Sequence, residues 1–122
     1  MNVSQIKAFV LYQTNNDQED VGDFEPFLIN YINEGYDRLA YAHARLHVKE
    51  GGEYPPLQAD GDEPNLPAYA HMGIANWAAF CVYRNGNPAR QNRGIAFRAA
   101  AEETATRLIN EVSTAHFVNM PR

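Results

Sequence analysis

Apolar residues recur at every third or fourth position along most of this chain, whereas the alternation of a half-buried strand is absent. This spacing places apolar side chains on one face of a helix. In the first segment, the residues with this helical spacing are Val3, Ile6, Phe9 and Val10. A short helix to about Thr14 is predicted there, with Ser4 as its candidate N-cap. The pattern as a whole predicts an all-α fold.

The second periodic segment predicts a long central helix that continues to Lys49. Asp23 suits its N-cap, and the first turn accommodates Glu25 and Pro26. Its apolar stripe consists of Phe24, Phe27, Leu28, Tyr31, Ile32, Leu39 and Leu46. A helix of this extent is roughly 39 Å long at about 1.5 Å per residue. Gly35 costs it about 1 kcal/mol relative to Ala and permits the close approach of another helix.

Two further helices are predicted in the second half of the chain. Pro67 suits the first turn of a core helix whose stripe is Ala70, Ile74, Trp77, Ala78, Cys81 and Val82. In the turn that follows, Gly86 suits a left-handed C-terminal cap, Asn87 an N-cap and Pro88 the first position of the last helix. That helix is predicted to end near Val112, and its buried face is Phe97, Ala101, Thr104, Ala105, Leu108 and Val112.

Polar segments separate these helices. Residues 15–22 contain no periodic apolar positions and form a connection. Residues 50–67 contain four prolines, three glycines and five acidic residues, so no regular helix or central strand passes through them. The pattern fades after Ser113. We therefore predict a small bundle of about four helices in a single domain, residues 1–113, with a Pro/Gly-rich loop and an extended C-terminal docking tail, residues 114–122.

The composition agrees with one ordinary globular domain. The chain has 122 residues, of which 45% are hydrophobic and 20% charged. Its longest apolar run, Trp77–Tyr83, is far shorter than the roughly 18 residues of a membrane span, and no export signal is recognisable. Cys81 is the only cysteine, which excludes an internal disulfide framework and indicates a reducing compartment. We expect neither membrane insertion nor export.

Motifs for catalysis or cofactor binding are not recognisable. His43 and His47 are four apart, the spacing of helical metal sites, but Ala44 stands where the zinc-protease motif has Glu. Cys81 lies on an apolar stripe outside any nucleophile elbow, and Gly51 and its neighbour lack the Lys of a phosphate-binding loop. We therefore expect no catalytic residues, no cofactor and no metal. A small metalloenzyme that uses both histidines is a third hypothesis, which requires stoichiometric metal in the purified protein.

The segment Tyr54–Leu57 has the sequence Tyr-Pro-Pro-Leu and is compatible with a polyproline helix. Such a segment can present its apolar side chains to a partner. The simpler interpretation is a rigid loop that folds against its own domain, and we expect this second arrangement.

Charge is distributed unevenly along the chain. Between Arg84 and Arg98 there are four arginines and no acidic residue, although the whole chain has a net charge of -5. Arginines at a helix junction favour contacts with DNA phosphates, and a small helix-turn-helix regulator is the alternative hypothesis for function. A pI near 5.2 opposes binding to a polyanion. It favours instead the pairing of basic and acidic protein surfaces.

The junction Tyr83–Pro88, which reads Tyr-Arg-Asn-Gly-Asn-Pro, is the most distinctive stretch of the chain. Other recognisable stretches are Phe27–Leu39, Tyr54–Leu57, Leu66–Pro67, Ile74–Ala78 and Ala89–Gly94, followed by the helix that bears Phe97 and Glu103. In this order the elements resemble the small helical head-to-tail connector proteins of tailed bacteriophages, the adaptor or head-completion family. The resemblance covers most of the chain.

The resemblance implies a structural virion protein that assembles into a ring of about twelve copies beneath the portal protein of the phage head. Such a ring extends the DNA channel, lets DNA pass without sequence-specific binding and provides a platform for the next neck or tail protein. The implied location is the virion neck, after assembly in the host bacterial cytoplasm.

A closed ring needs two different, complementary patches on every copy. We expect the basic patch to consist of Arg84, Arg90, Arg93 and Arg98. We expect the acidic patch to lie in the loops, with Asp60, Asp62 and Glu63. The tail residues expected to contact the portal or a neighbouring subunit are Phe117 and Met120.

Overall fold

The computed structural model describes residues 1–14, 23–44, 54–84, 86 and 88–118, with side chains except at positions 89, 90 and 112–118. All regular structure in this part of the chain is helical. The helices are α1 (Val3–Thr14), α2 (Leu28–Ala44), α3 (Ala68–Arg84) and α4 (Pro88–Val118), and a 3-10 turn at Glu25–Phe27 precedes α2. The predicted all-α fold, a small bundle of about four helices, is confirmed.

The helix at the centre of the bundle is α3, which packs against α1, α2 and α4. Eleven of its 17 residues are buried, including Ile74, Ala78 and Val82. A helix that is apolar around its whole circumference is expected to be surrounded by others, and its many alanines and Gly73 let three neighbours approach. The predicted core helix is therefore confirmed. The prediction that the second helix, α2, is the central one is wrong, because α3 occupies that position.

Two glycines set the distance between α3 and its neighbours. A Cβ atom on Gly35 of α2 would lie 3.0 Å from Cβ of Trp77, and one on Gly73 of α3 would lie 2.7 Å from Cγ2 of Thr104. Real Cβ atoms essentially never approach to 2.7 Å and seldom to 3.0 Å, so each glycine allows the helices to pack tightly. The close approach predicted at Gly35 is confirmed.

Side-chain contacts establish that α3 and α4 run antiparallel. Tyr83, near the end of α3, stacks on Phe97, near the start of α4, with ring centroids 5.8 Å apart and 7° between the ring planes. At the other end, the Tyr69 hydroxyl donates to Glu111 Oε2 at 2.5 Å. The predicted junction of two helices, the second of which begins at Pro88, is thus confirmed. Asn87, its predicted N-cap, lies outside the described residues.

Helix ends differ from the predicted ones at two places, the start of α2 and the end of α4. Asp23 is not the N-cap of α2, which begins at Leu28 after the 3-10 turn; the N-cap of that turn is Phe24, and Asp23 Oδ1 accepts the backbone N–H of Glu25 at 3.2 Å. The predicted continuation of α2 to Lys49 lies outside the described residues. The predicted end of the last helix near Val112 is wrong, since α4 continues to Val118. No Gly or Pro stands between these two positions, and a helix already formed propagates without an apolar stripe.

The extended tail predicted from residue 114 is therefore helical over residues 114–118. Phe117 belongs to α4, and Met120 lies outside the described residues.

The proline-rich segment folds against its own domain, as expected. Tyr54 and Leu57 are each only 3% exposed, whereas the two prolines between them face solvent. The Tyr36 hydroxyl on α2 accepts the backbone N–H of Asn65 at 2.8 Å, which fixes a later part of the same loop. The loop is thereby held on α2 at both ends of its described course.

Candidate interaction surface

The four arginines of the basic stretch occupy the end of α3 and the start of α4. Arg84 is the last residue of α3, and the side chains of Arg93 and Arg98 are exposed on α4. The side chain of Arg90 lies outside the described residues. The basic stretch therefore lies at one end of the bundle and along the first part of α4.

Arg84 is bound within its own chain by Glu34 of α2. Its Nη1 and Nη2 atoms donate to Glu34 Oε1 and Oε2, both at 3.2 Å. This two-point contact joins residues 50 apart in sequence and raises the pKa of Arg84. The Arg84 side chain is about two-fifths exposed, so one of its sides is already used to hold α2 against α3.

Glu34 also accepts a hydrogen bond from the thiol of Cys81, with 2.9 Å between Sγ and Oε2. Burial acts to raise the pKa of Glu34, but the bonds from Arg84 and Cys81 and the charge of Arg84 outweigh it and hold the pKa below 4.5. Burial and the adjacent carboxylate raise the pKa of Cys81 far above its ordinary value. Cys81 is therefore a buried, protonated thiol, in agreement with its predicted place in the core.

Trp77 lies beside this cluster and is 6% exposed. Its Nε1 atom is buried and makes no hydrogen bond to any described residue, although the indole contributes slightly to lowering the pKa of Glu34. The guanidinium of Arg38 lies over the Trp77 ring, 4.3 Å from the centroid. Arg38 and the indole together form one wall of an external groove.

Arg98 is also paired within the chain. Its Nε donates to Glu102 Oε1 at 3.0 Å, and Nη2 of Arg38 lies 3.5 Å from the same oxygen. The Arg98 guanidinium lies 5.5 Å from the centre of the Phe80 ring. Two arginines of the predicted patch, Arg84 and Arg98, thus contribute to packing between helices of the same chain.

α4 buries one stripe of its described side chains. The residues in the buried class follow each other seven apart, at Gly94, Ala101 and Leu108, and form a seam. The half-buried Phe97, Thr104 and Ala105 widen this seam to the stripe that is usual for a surface helix. Ile95, beside the seam, is 60% exposed. Much of α4 therefore faces outward, including an apolar side chain.

Asp60 of the predicted acidic patch stabilises the start of α1. Its backbone carbonyl accepts the N–H of Ser4 at 3.0 Å, and its Oδ1 accepts a hydrogen bond from Lys7 Nζ at 3.2 Å. The first N–H groups of a helix have no partner inside the helix, so this contact satisfies one of them.

Asp62 has a similar internal role. Its carbonyl accepts the N–H of Val3 at 2.9 Å, and its Oδ2 accepts the N–H groups of Gln58 and Ala59, each at 2.9 Å. The bonds from Ala59 and Gln58 lower the pKa of Asp62. Glu63 is exposed. Because this loop precedes α3 and the basic junction follows it, the two predicted patches lie at opposite ends of a 17-residue helix, roughly 25 Å apart.

Two grooves flank the exposed edge of α2, and Glu34 and Asp37 contribute to both. One groove, of about 470 Å³, lies between α2, the proline-rich segment and Arg84. The other, of about 450 Å³, is formed by three helices and is named here the α2–α4 groove. Its lining residues are Glu34, Asp37, Arg38, Tyr41, Ala42, Trp77, Ala105 and Ile109.

The candidate metal pair is only partly described. His43 Nδ1 lies 2.9 Å from the hydroxyl of Tyr54, and His47 is outside the described residues. Within the described ranges, no three His, Cys, Asp or Glu side chains come together as a metal site. Among the described helices, none combines the length and the apolar character needed to cross a bilayer.

No family model, curated protein sequence or solved structure matches this chain. The surfaces of the molecule are therefore the basis for assigning a function. Sequence reasoning missed the α2 edge with Glu34 and Asp37. A signal for it exists, because the polar side of α2 repeats with helical spacing at Asn30, Glu34, Asp37, Arg38 and Tyr41.

Proposed function

We propose that this chain is a structural virion protein of a tailed phage, which forms a ring that connects the portal of the head to the neck or tail and extends the DNA channel. The observation that supports an assembly role is the exposure of α4. This helix has 31 residues, and its fully buried described side chains form one seven-residue seam. The outward side of this helix, which includes Ile95, is the surface proposed for contacts with other protein chains.

The charge distribution supports contacts that are head-to-tail. A closed ring requires each copy to present two different surfaces that complement each other. The junction of α3 and α4 carries arginines, whereas acidic side chains lie on the preceding loop and on α2. Opposite charges at separate places on one molecule favour such heterologous contacts and fix their register.

The ion pairs within the chain oppose DNA binding by the basic stretch. Arg84 is engaged by Glu34 and Arg98 by Glu102, so two of the four arginines are already neutralised by carboxylates. With a net charge of -5 for the chain, few cations are left to displace counterions from a duplex. The proposed partners are further copies of the chain, the portal protein and the next neck or tail protein.

The experiment is analytical ultracentrifugation over a concentration series, at low and high salt, with and without purified portal protein. We expect a discrete species of about twelve copies, alone or on the portal, that is weakened by salt. A monomer under all of these conditions would overturn the proposal. Retention of duplex DNA with a steep salt dependence would then support the helix-turn-helix regulator.

A further inference from the structure

Asp60 and Gly61 form the exposed apex of a β-turn in the loop that precedes α3. The backbone N–H of Asp62 donates to the carbonyl of Ala59 at 3.0 Å and closes the turn, so Asp60 and Gly61 are its two central residues. Both are exposed, and the Asp60 side chain retains 72% of its accessible surface. At no other position in the 122-residue sequence does a glycine directly follow an aspartate.

The backbone nitrogen of Gly61 is free in this turn. The neighbouring N–H groups of Gln58 and Ala59 donate to the Asp62 carboxylate, and that of Asp62 donates to the Ala59 carbonyl. The N–H of Gly61, in contrast, makes no hydrogen bond to any described residue. A Cβ atom at Gly61 would meet no atom within 4 Å. Neither a hydrogen bond nor a neighbouring atom therefore opposes movement of the peptide group between Asp60 and Gly61.

The carboxyl group of Asp60 is held by one described contact. Its Oδ1 atom accepts a hydrogen bond from Lys7 Nζ at 3.2 Å. The Lys7 side chain is 34% exposed, and ion pairs between solvent-accessible groups are weak. This contact therefore leaves the carboxyl group able to turn toward the nitrogen of Gly61.

An aspartate that precedes a glycine can react with its own main chain. The backbone nitrogen of Gly61 attacks Cγ of Asp60, a C–N bond forms, and the carboxyl hydroxyl leaves with the amide proton as water. The product is a five-membered succinimide ring, and glycine favours its formation because no Cβ obstructs the nitrogen. Water then reopens the ring. If it breaks the bond to Cγ, aspartate is restored, and if it breaks the bond to the former main-chain carbonyl carbon, isoaspartate results.

We propose that the Asp60–Gly61 turn is a site of spontaneous modification, at which Asp60 converts to isoaspartate through a succinimide. The reaction needs no enzyme, oxidant or cofactor, since one water is lost and one is gained. This inference goes beyond the proposed ring and does not depend on it.

The modification alters the turn that holds the start of α1. The carbonyls of Asp60 and Asp62 accept the N–H groups of Ser4 and Val3, at 3.0 Å and 2.9 Å. These N–H groups belong to the first turn of a helix and have no partner inside it. In isoaspartate the main chain runs through Cγ and gains one carbon atom, and the former carbonyl becomes a free carboxylate. The two acceptors then no longer have the spacing of the two N–H groups, so the start of α1 is loosened.

Incubation of the intact chain in water enriched in the heavy isotope of oxygen tests the proposal, at mildly acidic pH and physiological temperature. Each hydrolysis of the succinimide adds one heavy oxygen to residue 60. Trypsin in ordinary water then releases the peptide 50–84, which separates this site from the Asn-Gly pair at residues 85–86, a second source of isoaspartate. Electron-transfer fragmentation of the peptide locates the label and distinguishes isoaspartate from aspartate. We expect both the label and isoaspartate to accumulate at Asp60.

Two controls accompany this measurement. Asp62 lies in the same peptide but precedes glutamate, and it should remain unlabelled. In Gly61→Ala, labelling of Asp60 should be at least about tenfold slower, because the new methyl group obstructs the nitrogen while meeting no atom of the fold. Incubation should also lower the Tm of the wild-type chain more than that of Gly61→Ala.

Three results would overturn the proposal. They are an unlabelled Asp60, equal labelling of Asp60 and Asp62, and a rate that Gly61→Ala does not change. Label without isoaspartate would show that the ring reopens only to aspartate and would also overturn it. An equal change of Tm in both chains would refute the loosening of α1. None of these results bears on the proposed ring, which ultracentrifugation of freshly purified chain tests separately.

Discussion

Asn33 of α2 and Leu57 of the proline-rich segment are joined by two hydrogen bonds. The Asn33 Oδ1 atom accepts the backbone N–H of Leu57 at 2.7 Å, and Nδ2 donates to the Leu57 carbonyl at 2.8 Å. One side-chain amide thus satisfies both backbone groups of a buried residue, as a neighbouring strand would. A loop without regular structure is held on α2 in this way.

Replacing Asn33 with Ala is expected to destabilise the fold by about 1–3 kcal/mol, because the backbone N–H and C=O of Leu57 lose their partners in a largely buried place. Urea unfolding followed by circular dichroism measures the change. The control is Asn30→Ala, one turn earlier on the exposed side of α2, which should stay within about 0.5 kcal/mol of the wild-type chain. Equal effects of the two substitutions would contradict the bridging role of Asn33.

Replacing Gly73 with Ala tests the close packing of α3. The new Cβ would lie 2.7 Å from Cγ2 and 2.8 Å from Cβ of Thr104, so α4 would have to shift, and the end of the Leu39 side chain, 2.9 Å away at Cδ1, would have to move. Overpacking of this kind costs about 1–3 kcal/mol. Gly61→Ala is the matched control, since a Cβ there would meet no atom within 4 Å. Thermal unfolding should show a lower Tm for Gly73→Ala alone, and an unchanged Tm would argue against the close approach of α4.

The sequence predicts the helices and the close approach at Gly35, but not the polar contacts between helices. Apolar periodicity and Pro88 identified the junction of α3 and α4, and the pattern of small apolar residues identified a core helix. The end of α4 was predicted too early because a fading apolar stripe does not stop a helix when no Gly or Pro interrupts it.

The arginines show why the predicted site was incomplete. Arg84 was grouped with the other arginines by charge, whereas its carboxylate partner, Glu34, is 50 residues away in sequence. The pairing depends on how α2 packs against α3, which local spacing does not specify. The groove beside Glu34 is produced by the same packing. Its polar edge on α2 can be predicted from helical spacing, whereas its walls on the other helices cannot, because they depend on that packing.

Stability is expected to depend on pH through Glu34. The pKa of Glu34 in the folded chain lies below 4.5, because the hydrogen bonds and the charge of Arg84 outweigh the opposing effect of burial. A depressed carboxyl pKa contributes stability above the pKa of the unfolded state, and this contribution is lost as the pH falls through the folded-state pKa. The stability lost in Glu34→Gln should therefore be largest above about pH 5 and should shrink toward pH 3.

Urea unfolding of both chains between pH 3 and 7 measures this difference. Glu103→Gln is the control, since Glu103 is exposed on α4 and makes no ion pair with any described side chain. If both substitutions gave the same change at every pH, the contact with Arg84 and Cys81 would not be a source of stability.

Replacing Arg90 and Arg93 together with Glu should abolish assembly into a ring or onto the portal while leaving the helical content intact. The reason is that a basic surface at the start of α4 would become acidic and repel the acidic surface of the next copy. The control, Arg90→Lys/Arg93→Lys, keeps both charges and should still assemble with the same dependence on salt. Ultracentrifugation and circular dichroism are the two measurements. Undiminished assembly of the Glu variant would refute the role of the basic surface.

Removing residues 114–122 should spare the fold and impair docking. The reason is that the apolar pattern of the last helix fades before the cut, and the described core residue Leu108 and the bond between Glu111 and Tyr69 both precede it. The truncated chain should lose only the helical signal of residues 114–118 and should unfold cooperatively near the wild-type midpoint. In a pull-down with purified portal protein it should bind more weakly than the full chain. A non-cooperative transition would show that the end of α4 belongs to the core, and full portal binding would show that Phe117 and Met120 take no part in docking.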